Sequence, residues 1–257
     1  MAHYYNADGE PCFKQITASG PRKGLLRNTT ITDARKLGLF PSVSEYISVM
    51  SNHGLMRYKI NQVISAAYYR PVNDGESLED YASIITEIAS KDSDEASELG
   101  TAIHDAIEAH YTGREINPAY NEYVQPTVEL LTSLGIEPVA AEKILVNPEY
   151  GYAGMTDIVY DRGILDFKSQ RFAKKPNSYD SHIMQIAAYH MAQFGAINDD
   201  DVGYNIYIST VNVGLVVEKK WNANELRNGW ELFRYLLNVY RLKNKFDARQ
   251  GDRKSVV

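Results

Sequence analysis

The sequence predicts a mixed α/β fold in one domain, with an all-helical flank on its N-terminal side. Residues 32–113 carry a helical pattern throughout, whereas strand-like and helical segments alternate from residue 139 onward. No stretch rich in Pro, Gly or Ser separates the two regions, so we expect a single domain. Hydrophobic residues make up 44% of the chain and charged residues 23%, which is typical of a globular protein and excludes a disordered or fibrous one.

The N-terminal part of the chain predicts an irregular arm followed by helices. Residues 1–30 are polar and contain several glycines, which favours an arm with a short hairpin. Asp92 followed three residues later by Glu95 predicts a capped helix start, and Gly113 predicts the end of the same helix. The expected helices cover residues 42–50, 55–69, 78–90 and 93–112.

The second half of the chain predicts a sheet that is covered by helices. A helix at residues 119–134 is followed by strand-like segments, and a tight turn at residues 161–162 separates two of them. The expected strands cover residues 139–146, 153–160, 164–169, 202–209 and 213–221, and the expected helices residues 181–194 and 223–246. We therefore divide the domain into an arm with a helical elaboration (1–92), a core (93–246) and a basic tail (247–257).

The densest group of polar residues lies in GMTDIVYDRGILDFKSQ, residues 154–170. If residues 161–162 form the turn, Asp157 lies opposite Asp166, and strand alternation puts Lys168 on the same face. Paired carboxylates repel each other, so a site that collects them typically holds a hard cation such as Mg²⁺. A lysine beside them can orient water or stabilise charge on a phosphate. The alternative is a surface hairpin with an ordinary Asp–Lys cross-strand pair.

This hairpin resembles the motif of the PD-(D/E)XK nuclease superfamily, and more narrowly its RecB-like exonuclease group with phage-encoded members. The resemblance rests on Gly-x-x-Asp before apolar-Asp-x-Lys, on GTAIHDAIEAHY (residues 100–111) and on QIAAYHMA (residues 185–192). These blocks follow one another in the order typical of the group. Thr156 precedes Asp157 where many members have proline, and the second acid is an aspartate; the family tolerates both.

The resemblance implies a restriction-endonuclease-like core, with a central mixed β-sheet flanked by helices and a helical N-terminal elaboration. It assigns catalysis to Asp157, Asp166 and Lys168, with the lysine positioning and helping to deprotonate the attacking water. The implied metal ligands are His104, Asp157, Asp166, the backbone carbonyl of Phe167 and, through water, Glu142. Taken alone, His104 is more often a packed or solvated helix residue than a metal ligand, and for Glu142 an ordinary edge-strand glutamate is an equal alternative.

Substrate contacts are expected from two further segments. Gln185 and Tyr189 lie four residues apart and so share one helical face; the resemblance implies contact with the surroundings of the lysine, a phosphate, a sugar or a base. Basic residues in the loop after the Asp-x-Lys strand suit a DNA backbone, although an ordinary solvated surface is the alternative. These loop residues are Arg171, Lys174 and Lys175.

The function that the resemblance implies is Mg²⁺- or Mn²⁺-dependent hydrolysis of linear DNA from an end. Family members act in phage recombination, repair or genome processing, sometimes beside a single-strand annealing protein. Two alternatives stay open: an endonuclease of restriction or junction-resolving type on the same fold, and a non-catalytic nucleic-acid-binding module. The net charge of −6 excludes nucleic-acid binding through overall positive charge, but not through a local basic groove.

Composition also restricts cofactors and location. The single cysteine, Cys12, excludes a four-cysteine iron–sulfur cluster and a disulfide framework. No apolar run is long enough to cross a membrane, and the start MAHYYNADGE has neither a basic region nor an apolar one. We therefore expect a soluble, cytoplasmic protein without membrane contact, in the host cytoplasm if the source is viral.

Overall fold

The computed structural model describes residues 3–50 and 53–250. Its N-terminal arm consists of short strand pairs and two short helices. These elements are β1 (Tyr4–Tyr5), β2 (Lys14–Ile16), β3 (Leu26–Asn28), α1 (Ile31–Leu37), β4 (Phe40–Pro41) and α2 (Val43–Ile47). β2 and β3 form the expected short hairpin, and β1 pairs with β4. Helix α2 is shorter than the segment 42–50 that the pattern predicts.

Helix α1 precedes the first helix that the sequence predicts. Its start is fixed by a capping box, in which Thr30 and Asp33 each accept a hydrogen bond from the other's backbone N–H. Arg27 holds the same carboxylate through two hydrogen bonds of 2.5 and 2.8 Å. This guanidinium keeps the pKa of Asp33 well below its usual range. Local polar contacts, rather than a long apolar period, therefore define this helix.

Two long helices, α3 (His53–Tyr69) and α4 (Leu78–Thr112), form an antiparallel hairpin. The hydroxyl of Tyr81 in α4 donates to the backbone carbonyl of Arg70 at 3.0 Å and ties the two helices together at their connection. Ser77 caps the start of α4, where its side chain accepts from a backbone N–H in the first turn, and Gly113 caps the end, as expected.

The expected boundary between two helices at residues 90–93 is wrong, because α4 is continuous through it. Neither glycine nor proline occurs in residues 78–99 to interrupt the helix. Lys91 and Glu95 lie one turn apart with Nζ and Oε1 separated by 3.9 Å, an ordinary pair of a helix interior. An acidic residue three positions before a glutamate is thus not sufficient to start a helix here.

The remaining elements build a five-stranded mixed sheet and its cover, in agreement with the expected α/β class. They are α5 (Asn121–Ser133), β5 (Pro138–Asn147), β6 (Tyr152–Tyr160), β7 (Gly163–Gln170), α6 (Asp180–Phe194), β8 (Val202–Ser209), β9 (Val216–Trp221) and α7 (Ala223–Asn244). The strand order is β5–β6–β7–β8–β9, and each neighbouring pair is antiparallel except β7 and β8.

Each face of the sheet has its own buried apolar cluster. Val159 and Ile164 pack with α6 and α7, whereas Ile158 and Leu165 pack with α4 and α5. The two sets differ because strand side chains alternate between faces. Of the expected basic tail, residues 251–257 lie outside the described residues. Within residues 3–50 and 53–250, none of the helices combines the length and the apolar character that a membrane span needs.

Candidate active site

The hairpin of β6 and β7 has the expected register. Tyr160 pairs with Gly163, and the same register continued along the strands brings Asp157 opposite Asp166. The backbone pairing of the two strands ends at Ile158 and Leu165. Beyond it a side chain joins the strands, because Oδ2 of Asp157 accepts a hydrogen bond of 2.6 Å from the backbone N–H of Phe167. By strand alternation both carboxylates project from the face that α6 covers. The sequence therefore predicted the juxtaposition of the two acids correctly.

Lys168 links the acids to helix α6. Its Nζ lies 2.7 Å from Oδ2 of Asp166 and donates to Oε1 of Gln185 at 2.9 Å. The amide nitrogen of Gln185 in turn donates to the hydroxyl of Tyr189 at 3.3 Å. The expected placement of Lys168 on the face of Asp166 is confirmed, and the two helix residues form a chain of hydrogen bonds that begins at the lysine.

Burial and the attraction between Asp166 and Lys168 shift the pKa values of these two groups in opposite directions. Burial raises the pKa of Asp166 above its ordinary value, and Lys168 opposes that rise while Asp157 adds to it. Burial lowers the pKa of Lys168, but the attraction of Asp166 outweighs it, so that the pKa of the ammonium is raised. In this arrangement Lys168 is therefore held as an ammonium that donates hydrogen bonds.

His104 approaches the same group from α4. Its Nδ1 lies 3.7 Å from Oδ1 of Asp157, which is too long for a hydrogen bond, and its ring meets that of Phe167 edge to face with centroids 5.9 Å apart. Although burial opposes it, Asp157 and then Asp166 raise the pKa of His104. The imidazole that the resemblance assigned to the metal site thus faces a carboxylate of that site.

Glu142 lies on β5 beside the acids. The residues on either side of it pair with Ile158 and Thr156, the two neighbours of Asp157. Its backbone φ is 46°, in the left-handed region that residues other than glycine rarely adopt within a strand. Burial raises the pKa of Glu142, as do the charges of Glu108 and Asp157. Glu142 is thus a half-buried residue with a strained backbone that lies next to other acids.

Asn205 is a site residue that sequence reasoning missed. It is fully buried on β8 in register with Asp166, and its amide nitrogen donates to Oδ2 of that residue at 3.2 Å. The indole N–H of Trp221 donates to the amide oxygen of Asn205 at 2.9 Å, which fixes the amide so that its NH₂ faces the carboxylate. No local motif surrounds Asn205; only the parallel pairing of β7 and β8 brings it to the site.

Tyr189 occupies a different position from the one expected of a substrate contact. Its side chain is only 4% exposed, which leaves no open ring face for a sugar or a base. It packs directly on Gly154, where an added Cβ would lie 2.7 Å from the ring. Gly154 of the Gly-x-x-Asp segment is therefore required for close packing, and the tyrosine supports Gln185.

The basic loop after β7 is exposed and anchored at both ends. The side chain of Gln170 accepts from the backbone N–H of Asn177 at 3.2 Å and donates to its carbonyl at 3.0 Å, while the hydroxyl of Ser209 donates to the carbonyl of Phe172 at 2.5 Å. The exposed residues between these anchors include Arg171, Lys174 and Lys175. They begin three positions after Lys168 in the chain.

The donor set suits a divalent cation, but the side chains are not in a coordinating arrangement. Two ligands that each lie about 2.1 Å from one ion are at most about 4.2 Å apart, and Nδ1 of His104 and Oδ1 of Asp157 are within that limit at 3.7 Å. The ammonium of Lys168 and the N–H of Phe167 occupy one oxygen of each aspartate. Among the residues described, no group of three or more His, Cys, Asp or Glu side chains is close enough to hold a metal ion.

Comparisons with known proteins do not add to this picture. No protein-family model matches the sequence, and no curated protein does so either.

Proposed function

We propose that this chain is a Mg²⁺- or Mn²⁺-dependent DNA exonuclease with the PD-(D/E)XK fold, of the RecB-like type that phages encode. The observation that carries the proposal is the convergence of Asp157, Asp166 and Lys168 on one face of the sheet, with the lysine 2.7 Å from Asp166. A surface cross-strand pair would be solvated, whereas Asp166 is only 4% exposed and Asn205 bonds to it as well.

Residues from separate sequence blocks meet around this ion pair. His104 of α4 lies 3.7 Å from Asp157 of β6. Lys168 of β7 lies 2.7 Å from Asp166 and 2.9 Å from Gln185 of α6. The order of helix, three strands, helix and two strands agrees with the core that the resemblance implies. Both features support the finer fold assignment, with the arm and α3 as an elaboration on the core.

A bound divalent cation would supply Lewis acidity towards the phosphodiester and would lower the pKa of a bound water. The residues that would hold it are His104, Asp157, Asp166 and the backbone carbonyl of Phe167, with Glu142 acting through water. Asn205 and Trp221 keep the carboxylate of Asp166 in place by hydrogen bonding. Asn205 and Trp221 are positioning residues, because neither reaches the exposed side of the cluster around Asp166.

Lys168 orients the attacking water and stabilises negative charge on the phosphate. Gln185 holds its ammonium from the helix side, and Tyr189 holds Gln185. Because the ion pair with Asp166 keeps the ammonium protonated, Lys168 can accept a proton from water only after that pair is broken and the ammonium has released its own proton to solvent. The exposed cations of the loop after β7 bind the DNA backbone at the rim.

The decisive experiment compares linear DNA with covalently closed circular DNA in the presence of Mg²⁺ or Mn²⁺. We expect degradation of the linear substrate, an intact circle and no reaction with EDTA. Cleavage of the circle would replace the exonuclease with an endonuclease. Binding of either DNA without metal-dependent cleavage would show that the protein is a non-catalytic nucleic-acid-binding module. A single-strand annealing protein is the expected partner in recombination, and co-purification with one would extend the proposal.

A further inference from the structure

The β2–β3 hairpin of the N-terminal arm exposes a pair of apolar side chains. Ile16 and Leu26 lie opposite each other on the two strands and are 67% and 71% exposed. Leu25, directly before β3, is 60% exposed. Strand alternation puts Gln15 and Arg27 on the other face of the hairpin, where both are half-buried. The hairpin therefore turns its apolar face to solvent, which is the reverse of an ordinary half-buried ribbon.

The same hairpin is basic. Residues 11–32 contain four cations and no acidic residue. One of these cations forms an ion pair with Asp33 of α1. The other three, Lys14, Arg22 and Lys23, are exposed and form no ion pair within the part of the chain that the structure describes. Two of them lie in the loop at the tip of the hairpin, and Lys14 lies on the apolar face by strand alternation. The apolar pair thus lies between positive charges.

The base of the hairpin is fixed to the rest of the arm. The hydroxyl of Thr29 donates to the backbone carbonyl of Cys12 at 2.5 Å, and the backbone N–H of Thr29 donates to the carbonyl of Phe13 at 3.0 Å. The ring of Phe13 stacks on that of His3, with centroids 4.4 Å apart. From Phe13 to Thr17 the hairpin extends by about 13 Å before its loop begins, at about 3.3 Å per residue. The basic loop is therefore presented at a distance from an anchored base.

The base of the hairpin and the proposed site lie on one face of the central sheet. Gly9, in the turn that precedes the hairpin, packs on β5, because an added Cβ would lie 3.3 Å from Cγ2 of Ile144. Ile144 pairs with Met155 of β6. Met155 lies two positions before Asp157 and therefore projects from the same face. A nucleic acid bound along the hairpin is thus on the side of the sheet that carries the acids.

We propose that the β2–β3 hairpin binds duplex DNA beside the site, which rests on the proposed function and makes the substrate double-stranded. A two-stranded β-ribbon fits into a groove of the duplex. Arg22 and Lys23 bind phosphates on either side of that groove. Ile16 and Leu26 press against the base pairs, as apolar wedges do in proteins that enter the minor groove. This accounts for apolar side chains that the hairpin turns to solvent.

Two other anionic partners attract basic and apolar residues. Single-stranded DNA is bound by stacking its bases on aromatic rings, and residues 14–28 contain no Phe, Tyr, Trp or His. An anionic membrane surface also attracts a basic hairpin with exposed aliphatic side chains. The position of the hairpin on the sheet face of Asp157 favours a substrate of the site over a membrane. Duplex DNA is therefore the partner that the composition and the placement of the hairpin favour together.

The test measures binding of a duplex of about 20 base pairs to the full-length chain in EDTA, between about 50 and 200 mM salt. The double variant Arg22→Gln with Lys23→Gln should bind about 10-fold less tightly at the lower salt concentration. The slope of log K against log salt should become shallower by about 2, because each phosphate contact contributes about one. Lys36→Gln with Lys243→Gln is the matched control, since it removes two exposed lysines from other elements and should leave affinity and slope unchanged.

The apolar pair is tested by Ile16→Thr with Leu26→Thr, because threonine is well tolerated in strands. This variant should bind the duplex about 5-fold less tightly with an unchanged salt slope, since apolar side chains release no counterions. Leu37→Thr is the control, because Leu37 is 56% exposed at the end of α1 and lies outside the hairpin. All of these residues are exposed, so circular dichroism and melting temperatures should match those of the unaltered chain.

Unchanged duplex binding in both hairpin variants would overturn the proposal. So would a loss of affinity for an equally long single strand that equals or exceeds the loss for the duplex. Weaker binding to vesicles rich in phosphatidylserine, with unchanged duplex binding, would assign the hairpin to a membrane instead. Binding in EDTA does not involve cleavage. A chain that binds the duplex through the hairpin but cleaves no linear DNA would therefore keep this proposal and end the nuclease proposal.

Discussion

Lys168 and Asp166 form one ion pair, but their proposed tasks are different. Asp166 binds the cation in the ground state, whereas Lys168 acts on charge that develops during reaction. We therefore expect Lys168→Ala to lower the cleavage rate by about 10²–10⁴-fold with nearly unchanged Mn²⁺ affinity. Asp166→Asn should impair both. Calorimetry with Mn²⁺ and digestion of linear DNA measure the two effects separately.

This comparison is best made at about pH 8, because loss of the ammonium raises the pKa of the buried Asp166 further and would otherwise protonate it. Lys36→Ala is the control, since it removes an exposed lysine from helix α1, which has no part in the proposed site, and should leave cleavage and Mn²⁺ affinity unchanged. Degradation of linear DNA by Lys168→Ala at a near wild-type rate would reduce the motif to a structural ion pair and end the nuclease proposal.

His104 should make the site prefer Mn²⁺ over Mg²⁺, because a nitrogen ligand suits a transition metal better. His104→Ala should therefore shift the Mn²⁺ titration of cleavage to higher concentration and lower the maximal rate. His110→Ala on the same helix is the control, because that imidazole is exposed and lies more than one turn away. Identical Mn²⁺ titrations for His104→Ala and the wild type would show that His104 does not bind the metal and only packs in the fold.

Without the resemblance, which also pointed to His104 and Gln185, the candidate site could be predicted only where its residues follow one another in a local motif. Asp157, Asp166 and Lys168 lie on a tight hairpin, and two-residue alternation is enough to bring them together. Asn205 is different, because the parallel pairing of β7 with β8 determines its position and a helix separates these strands. The burial of Tyr189 depends in the same way on how α6 packs on the sheet, which periodicity alone does not define.

Within residues 3–50 and 53–250, two residues other than glycine have a backbone in the left-handed region. Glu142 in β5 and Lys245 at the end of α7 have φ values of 46° and 49°. Glycine adopts this region at little cost. We expect Lys245→Gly to raise the free energy of unfolding by about 1 kcal/mol, because it supplies the residue that helix ends prefer, without affecting activity. Urea denaturation and the digestion assay measure the two quantities.

Substitution of Glu142 by glycine should affect stability and activity in opposite directions. Glu142→Gly should also relieve strain, by about 1 kcal/mol, but lower cleavage at limiting Mg²⁺ because one acid near the site is lost. A gain in stability together with a loss of activity would show that function retains the strained glutamate. If activity is unchanged at all metal concentrations, the residue has no part in the site.

The boundaries of elements were less predictable than their types. Four strands of the sheet agree closely with the expected segments, since turn residues bound them, whereas the last strand begins at Val216 and not at residue 213, because a turn that contains Gly214 precedes it. By contrast, α4 runs through the expected break at residues 90–93, because a capping pattern is decided by the backbone and not by the residue types alone. Helix α1 depends on the Arg27–Asp33 pair, which a periodicity search does not detect.

In the whole molecule, the packing of α6 on the sheet buries two imidazoles that the proposed chemistry does not use. His190 is fully buried, and burial lowers its pKa. His182 is 8% exposed, and its Nδ1 lies 2.8 Å from the hydroxyl of Tyr207. Burial, together with the charge of Lys168, lowers the pKa of His182 to about 4. The fold therefore keeps these residues neutral at a pH where an exposed histidine is charged.

This neutrality predicts how the protein responds to acid. Between about pH 6.5 and 4 the unfolded chain binds a proton at His182 and the native state does not, so stability falls with falling pH. For His182 alone, the free energy of unfolding should drop by about 2 kcal/mol from pH 7 to pH 5. His182→Gln, which can still bond to Tyr207, should remove that part of the drop in urea denaturation. His110→Gln, an exposed control, should retain the full drop; equal slopes for His182→Gln and the wild type would show that the buried imidazole is protonated in the native state.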